Sequence, residues 1–113
     1  MVIKKNLNEL EILIKEFLSK KIDVNYFIKN FEVYYANLFL KDEKKTVHML
    51  GGYLSSLFDD IHAEVNFFVS DKESRKEHKN YLNEDGLRKS VRKIYLKIIN
   101  QDLNKDRGGV DND

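Results

Sequence analysis

Two groups of residues in this sequence have the types and spacing to do chemistry. The first is Asp59-x-x-His62, two potential metal ligands on adjacent turns of a helix. A di-metal site inside a helical bundle needs several inward carboxylates and paired E-x-x-H motifs on facing helices. The chain offers no second set, so the pair reads as a surface histidine beside a surface acid; His48 and His78 read as surface residues too. There is no P-loop, no G-x-S-x-G, no dinucleotide fingerprint and no H-E-x-x-H. Gly51-Gly52 falls inside a helical pattern and Gly108-Gly109 in a polar tail, so neither pair can cradle a phosphate. These features predict a protein that is not an enzyme and uses no metal or cofactor.

The second group is defined by charge. FDDIHAEVNFFVSDKE, Phe58 to Glu73, holds Asp59, Asp60, Glu64, Asp71 and Glu73 against Lys72, a net of −4. Residues 74–107 carry ten Lys/Arg and five Asp/Glu, a net of +5, while the whole chain is at +1. Charge sorted along a nearly neutral chain points to local patches rather than a global field. At about 100° per residue, Asp60 and Glu64 share a flank with Tyr53 and Phe67, and Asp59 points elsewhere, toward solvent. Carboxylates beside large aromatics suit a protein interface, where rings supply area and acids meet Lys or Arg; boundary core residues beside ordinary surface acids would give the same pattern. Arg88, Lys89, Arg92, Lys93 and Lys97 crowd one side of the last helical segment, with Tyr95 as the one aromatic that could interleave them. Such a row can grip phosphates or form the wet face of a bundle helix.

Four helical segments position these groups. Leu7, Leu10, Ile14, Phe17 and Leu18 make one apolar stripe over about 6–20, followed by Lys20 and Lys21, where cations suit the helix dipole. Asp23 can cap a second helix from Val24 to about Leu40, striped by Phe27, Phe31, Tyr34 and Leu38. KDEKK, 41–45, reads as a polar connection. Thr46 can start a third helix running to about Val69, striped by Val47, Leu50, Leu54, Leu57, Ile61, Val65 and Phe68. Gly51-Gly52 marks either a kink in it or a close helix contact. SDKESRKEHKN, 70–80, lacks apolar residues and reads as a solvated loop. Asn83 can cap a fourth helix to about Asn100, with Leu82 and Leu87 spaced as a hydrophobic staple and Leu87, Val91, Ile94 and Ile98 as its stripe.

With no proline and abundant Leu, Lys and Glu, helix is the easy state. The economical fold is an all-α antiparallel four-helix bundle over 1–103, with a disordered tail over 104–113. The absence of cysteine excludes disulfides, thiolate zinc sites and cysteine nucleophiles and fits a reducing compartment. Asn6, Glu9, Glu11, Lys15 and Glu16 interrupt the first twenty residues, leaving no signal-peptide core, and no apolar run approaches a membrane span. The expectation is a soluble cytoplasmic protein.

YLNEDGLRKSVRKIYLKI, Tyr81 to Ile98, resembles the C-terminal segment of the colicin D immunity protein family, in which an acidic turn and a leucine lead into a basic-studded helix with apolar spacing. GYLSSLFDDIHAE, Gly52 to Glu64, is similar to the family's preceding helix, with its Leu-Phe pair followed by acids. LNELEILIKEFLSKKIDVNYFIKNFEVYY, Leu7 to Tyr35, is similar to its first two helices. The resemblance spans most of 7–98. It implies a small helical bundle that binds the nuclease domain of a toxin and blocks its active site. The implied toxin is a tRNA-cutting ribonuclease, of a colicin or of a contact-dependent growth inhibition system. On this resemblance, Asp59, Asp60 and Glu64, then Asp71 and Glu73, stand in for RNA phosphates in a basic cleft, with Tyr53 and Phe67 as flanking anchors and Glu84 and Asp85 as the next candidates. The partner would be a protein, with no direct nucleic acid and no membrane. The alternative is a small nucleic-acid-binding or regulatory protein that uses the basic row of the last helix.

Overall fold

Helices at both ends of the chain begin or end on local hydrogen-bonding devices that their sequences supply. The computed structural model describes the backbone of residues 2–111 and the side chains of 3–101. Among them are six α-helices: α1 Val2–Leu18, α2 Val24–Tyr35, α3 Glu43–Leu50, α4 Gly52–Asn66, α5 Lys72–Arg75 and α6 Glu84–Asp111. A π-helical segment, Ala36–Lys41, continues α2. No strand occurs among the described residues, and none of their helices is long and apolar enough to cross a membrane. Helix α6 runs past the end expected near Asn100, to Asp111, so its last turns overlap the tail expected to be disordered over 104–113; the side chains there lie outside those described.

Helix α1 starts earlier than its apolar spacing suggested because Ile3 carries the stripe one turn further into the core. It ends in a Schellman closure: Lys21 N–H donates to the Glu16 carbonyl (2.9 Å) and Lys20 N–H to the Phe17 carbonyl (3.1 Å). Lys20 holds the left-handed position, φ 63°, usually given to glycine. Asp23 caps α2 as expected, its Oδ1 accepting from Tyr26 N–H at 2.7 Å.

The second helix does not run on unchanged to Leu40. Its wider turn at Ala36–Lys41 rephases the stripe so that the adjacent Leu38 and Phe39 are both buried. The expected polar connection at 41–45 is thus the end of this segment and the first turn of α3. Thr46 is not the helix start. It is fully buried within α3, and its hydroxyl donates to the Leu38 carbonyl at 2.6 Å. Thr46→Val keeps the shape but removes this donor, and we expect a loss of about 1.5 kcal/mol in a denaturant titration. Thr46→Ser should retain most of the hydrogen bond.

The long third helix expected over 46–69 is two helices. Gly51 sits at φ 87° and ψ 161°, its N–H bonded to the Val47 carbonyl at 2.7 Å. A Cβ at Gly51 or Gly52 would meet nothing within 4 Å, so the pair is a break and not a close helix contact. Helix α4 buries Leu54, Leu57, Phe58, Ile61 and Val65. It ends before Val69 because the chain turns to pair with the segment entering α6: Leu82 N–H donates to the Phe67 carbonyl (2.8 Å) and Val69 N–H to the Leu82 carbonyl (2.9 Å). This bridge closes the loop between them, which is not wholly irregular but carries the single turn α5.

Asn83 caps α6, its Oδ1 accepting from Gly86 N–H at 2.8 Å. Leu87, Val91, Tyr95 and Ile98 are buried, with Ile94 and Leu82 packed partly against them. Tyr95 is therefore a core residue and does not interleave the basic row. Helix α1 packs against α2 and α6, and α4 packs against α6 and α2. A stacked ring pair, Phe17 and Phe27, with centroids 4.0 Å apart, lies at the α1/α2 seam.

Candidate interaction surface

The seven candidate residues do not form one patch, because α4 turns two different flanks to its neighbours. Asp59 is exposed, as its helical phase predicts, and also reaches toward α2. The Tyr35 hydroxyl donates to its Oδ1 at 2.6 Å. One turn further along α4, His62 Nε2 lies 3.1 Å from Glu32 Oε2. The Tyr35 and His62 rings stack between these contacts, with centroids 4.0 Å apart and planes 4° from parallel. Asp59 and His62 thus each engage a residue of α2, and no cluster of three His, Cys, Asp or Glu able to hold a metal occurs among the described residues. Nothing in the sequence signalled that Tyr35 would meet Asp59 or Glu32 would meet His62.

Burial, then the hydrogen bond to Asp59 and the negative charges around it, push the Tyr35 phenol well above the usual tyrosine range. The folded state therefore favours the neutral phenol. The stability this contributes is fully present below pH 10, about where an unfolded tyrosine titrates, and is lost as pH rises through the higher folded value. In an absorbance titration at alkaline pH, we expect one tyrosine to resist ionisation and Tyr35→Phe to abolish that late phase.

On the other flank, Asp60, Ala63, Glu64 and Phe67 of the α4 region face Ser90, Lys93, Ile94 and Lys97 of α6 across a groove of about 370 Å³. Asp60 is exposed and Glu64 partly so. The ion pairs found among the described residues, His62–Glu32, Lys76–Glu73 and Arg88–Glu84, include neither of them. Phe67 is partly buried, its ring centroid 6.2 Å from that of His78. Tyr53, at the start of α4, is 54% exposed.

Asp71 and Glu73 lie apart from this groove, on α5, and both have local partners. Asp71 caps the turn, accepting from the Ser74 hydroxyl (2.7 Å) and Ser74 N–H (3.2 Å), which holds its carboxyl below the usual carboxylate range. Glu73 pairs with Lys76 at 3.3 Å on the open surface. Glu84 pairs with Arg88 one turn along α6, while Asp85 is exposed.

The basic row is divided in the same way. Arg88 is buried, not part of a wet face. Its Nε donates to the Phe17 carbonyl (3.0 Å), its Nη2 to the Ile22 carbonyl (3.4 Å), and its guanidinium lies 4.6 Å from the centre of the Phe17 ring. Arg92 Nη2 reaches the Leu18 carbonyl at 3.2 Å. Two of the five cations thus add donors to carbonyls at the C-terminal end of α1, beside the backbone closure already there. Lys89, Lys93 and Lys97 remain free of ion pairs among the described residues, a much reduced phosphate grip.

No match to this chain is found among protein-family models, curated proteins or solved structures. The functional reading therefore rests on the resemblance of residues 7–98 to the colicin D immunity family and on the geometry of the charged residues.

Proposed function

We propose that this protein is a bacterial immunity protein, a non-enzymatic cytoplasmic inhibitor that binds the nuclease domain of a cognate tRNA-cutting toxin. In this reading α1, α2, α4 and α6 form an antiparallel four-helix bundle. Their packing order, α1 on α2, α2 on α4, α4 on α6 and α6 on α1, supports it, because a closed ring of four neighbours is the arrangement of such a bundle.

The observation that carries the function is the pair Asp60 and Glu64. They stand one helical turn apart on a rigid element, accessible and outside any ion pair among the described residues. An exposed tyrosine, Tyr53, shares their flank by helical phase. A ribonuclease must present cations to phosphates, and carboxylates held in advance of binding lose little freedom on meeting them. The toxin would approach along the outer edge of α4. Asp71 and Glu73 contribute less, since their charges already have partners, and Asp59 acts by holding α4 to α2.

The test pairs this chain with a tRNA-cutting nuclease domain of the kind this reading requires, taken from the toxin gene expected beside its own. Co-expression with the wild-type chain should rescue growth. Asp60→Lys with Glu64→Lys should abolish rescue and weaken the isolated complex by tenfold or more for each charge, about 1.4 kcal/mol or more each. Glu43→Lys, exposed on α3, should change little. Full protection by the double reversal would overturn the reading.

A further inference from the structure

The α4/α6 groove is bordered by two charged rows of opposite sign and equal spacing. Asp60 and Glu64 are four residues apart on one wall, and Lys93 and Lys97 are four apart on the other. Four residues along a helix correspond to a rise of about 6 Å on both sides. Ala63, Phe67 and Ile94 lie among the groove's lining, giving it apolar surface as well. The two rows face one groove, yet no ion pair within 4.0 Å joins them among the described residues. Both rows are thus left with charge to offer an occupant.

An occupant of one sign lying within the groove would be attracted by one wall and repelled by the other. A surface with an acidic edge and a basic edge is instead its own complement under a two-fold rotation. An axis through the middle of the strip carries the acidic edge of one copy onto the basic edge of the next, which is the isologous contact of a symmetric dimer. The equal spacing lets both charges in each row find partners at once.

We propose that two copies of this protein pair through this groove, Asp60 and Glu64 of one against Lys93 and Lys97 of the other. This stands independently of the toxin reading. Pairing covers the two acids that a toxin would use, so where both occur they exclude one another.

Sedimentation of the full-length chain tests the pairing. The wild type should show a concentration-dependent dimer that weakens as salt is raised to about 0.5 M, where exposed charges are strongly screened. Asp60→Lys/Glu64→Lys makes both edges basic, and Lys93→Glu/Lys97→Glu makes both acidic. Each variant should keep wild-type helicity, lose self-affinity by tenfold or more and sediment as a monomer. Mixed in equal amounts, the two variants should recover a dimer, because every reversed wall then meets its opposite. A wild type that stays monomeric at the highest attainable concentration would overturn the proposal without any variant. So would a reversed variant that pairs as the wild type does, or a mixture that stays monomeric.

Discussion

Arg88→Ala should lower the stability of this protein by about 3 kcal/mol, whereas Lys89→Ala, one position along the same helix, should change it by less than about 0.5 kcal/mol. The two residues look alike in sequence, and the difference lies in what the guanidinium touches. Arg88 is 7% exposed and spans from α6 to the end of α1, donating to the Phe17 and Ile22 carbonyls while lying over the Phe17 ring. Hydrogen bonds from a charged donor are worth about 1.5–3 kcal/mol; without Arg88 the Phe17 carbonyl keeps only Lys20 N–H and the Ile22 carbonyl loses this donor. The cation over the ring adds about 1 kcal/mol. Its ion pair with Glu84 contributes little by comparison, because the Glu84 side chain is 45% exposed. Guanidinium denaturation followed by helicity would measure both variants. Equal midpoints would show that Arg88 does not join α6 to α1.

Gly51→Ala and Gly52→Ala should move stability in opposite directions. At φ 87° and ψ 161°, Gly51 occupies backbone space open in practice to glycine alone. A side chain there costs about 1–3 kcal/mol in strain although nothing crowds it. Gly52 begins α4 with an ordinary φ and equally open surroundings. Alanine there should raise stability by a few tenths to about 1 kcal/mol, through helix propensity and a less free unfolded chain. Thermal melts should therefore fall for one variant and rise for its neighbour. A shift of the same sign in both would mean that the chain does not break at Gly51.

The structure divides what was legible in the sequence from what was not according to the range of the interactions involved. The caps at Asp23 and Asn83 were readable because donor and acceptor lie three residues apart. The stripes of α1, α4 and α6 were readable because a 3.6-residue repeat faces a core whatever the core contains. Phe58 and Tyr95 are buried beyond those stripes, because a helix with neighbours on two sides buries more than one narrow face. The break at Gly51-Gly52 was visible as an anomaly, but a glycine serves equally for a close contact or a left-handed turn, and only the backbone distinguishes them.

For the candidate surface, helical phase alone put Asp60, Glu64 and Phe67 on one flank, and they do line one groove. That Lys93 and Lys97 form its opposite wall depends on α4 lying beside α6. Which helices would be neighbours, and at what register, no local pattern contains. The same is true of Arg88 at the Phe17 carbonyl, 71 residues away, and of Tyr35 at Asp59, 24 away. The chain's own order of residues thus determined the helical class, most of its apolar faces and the sorted charge. Tertiary packing decided which charges were left to meet a partner, because a charged group becomes structural or available only when another element is, or is not, within hydrogen-bonding reach.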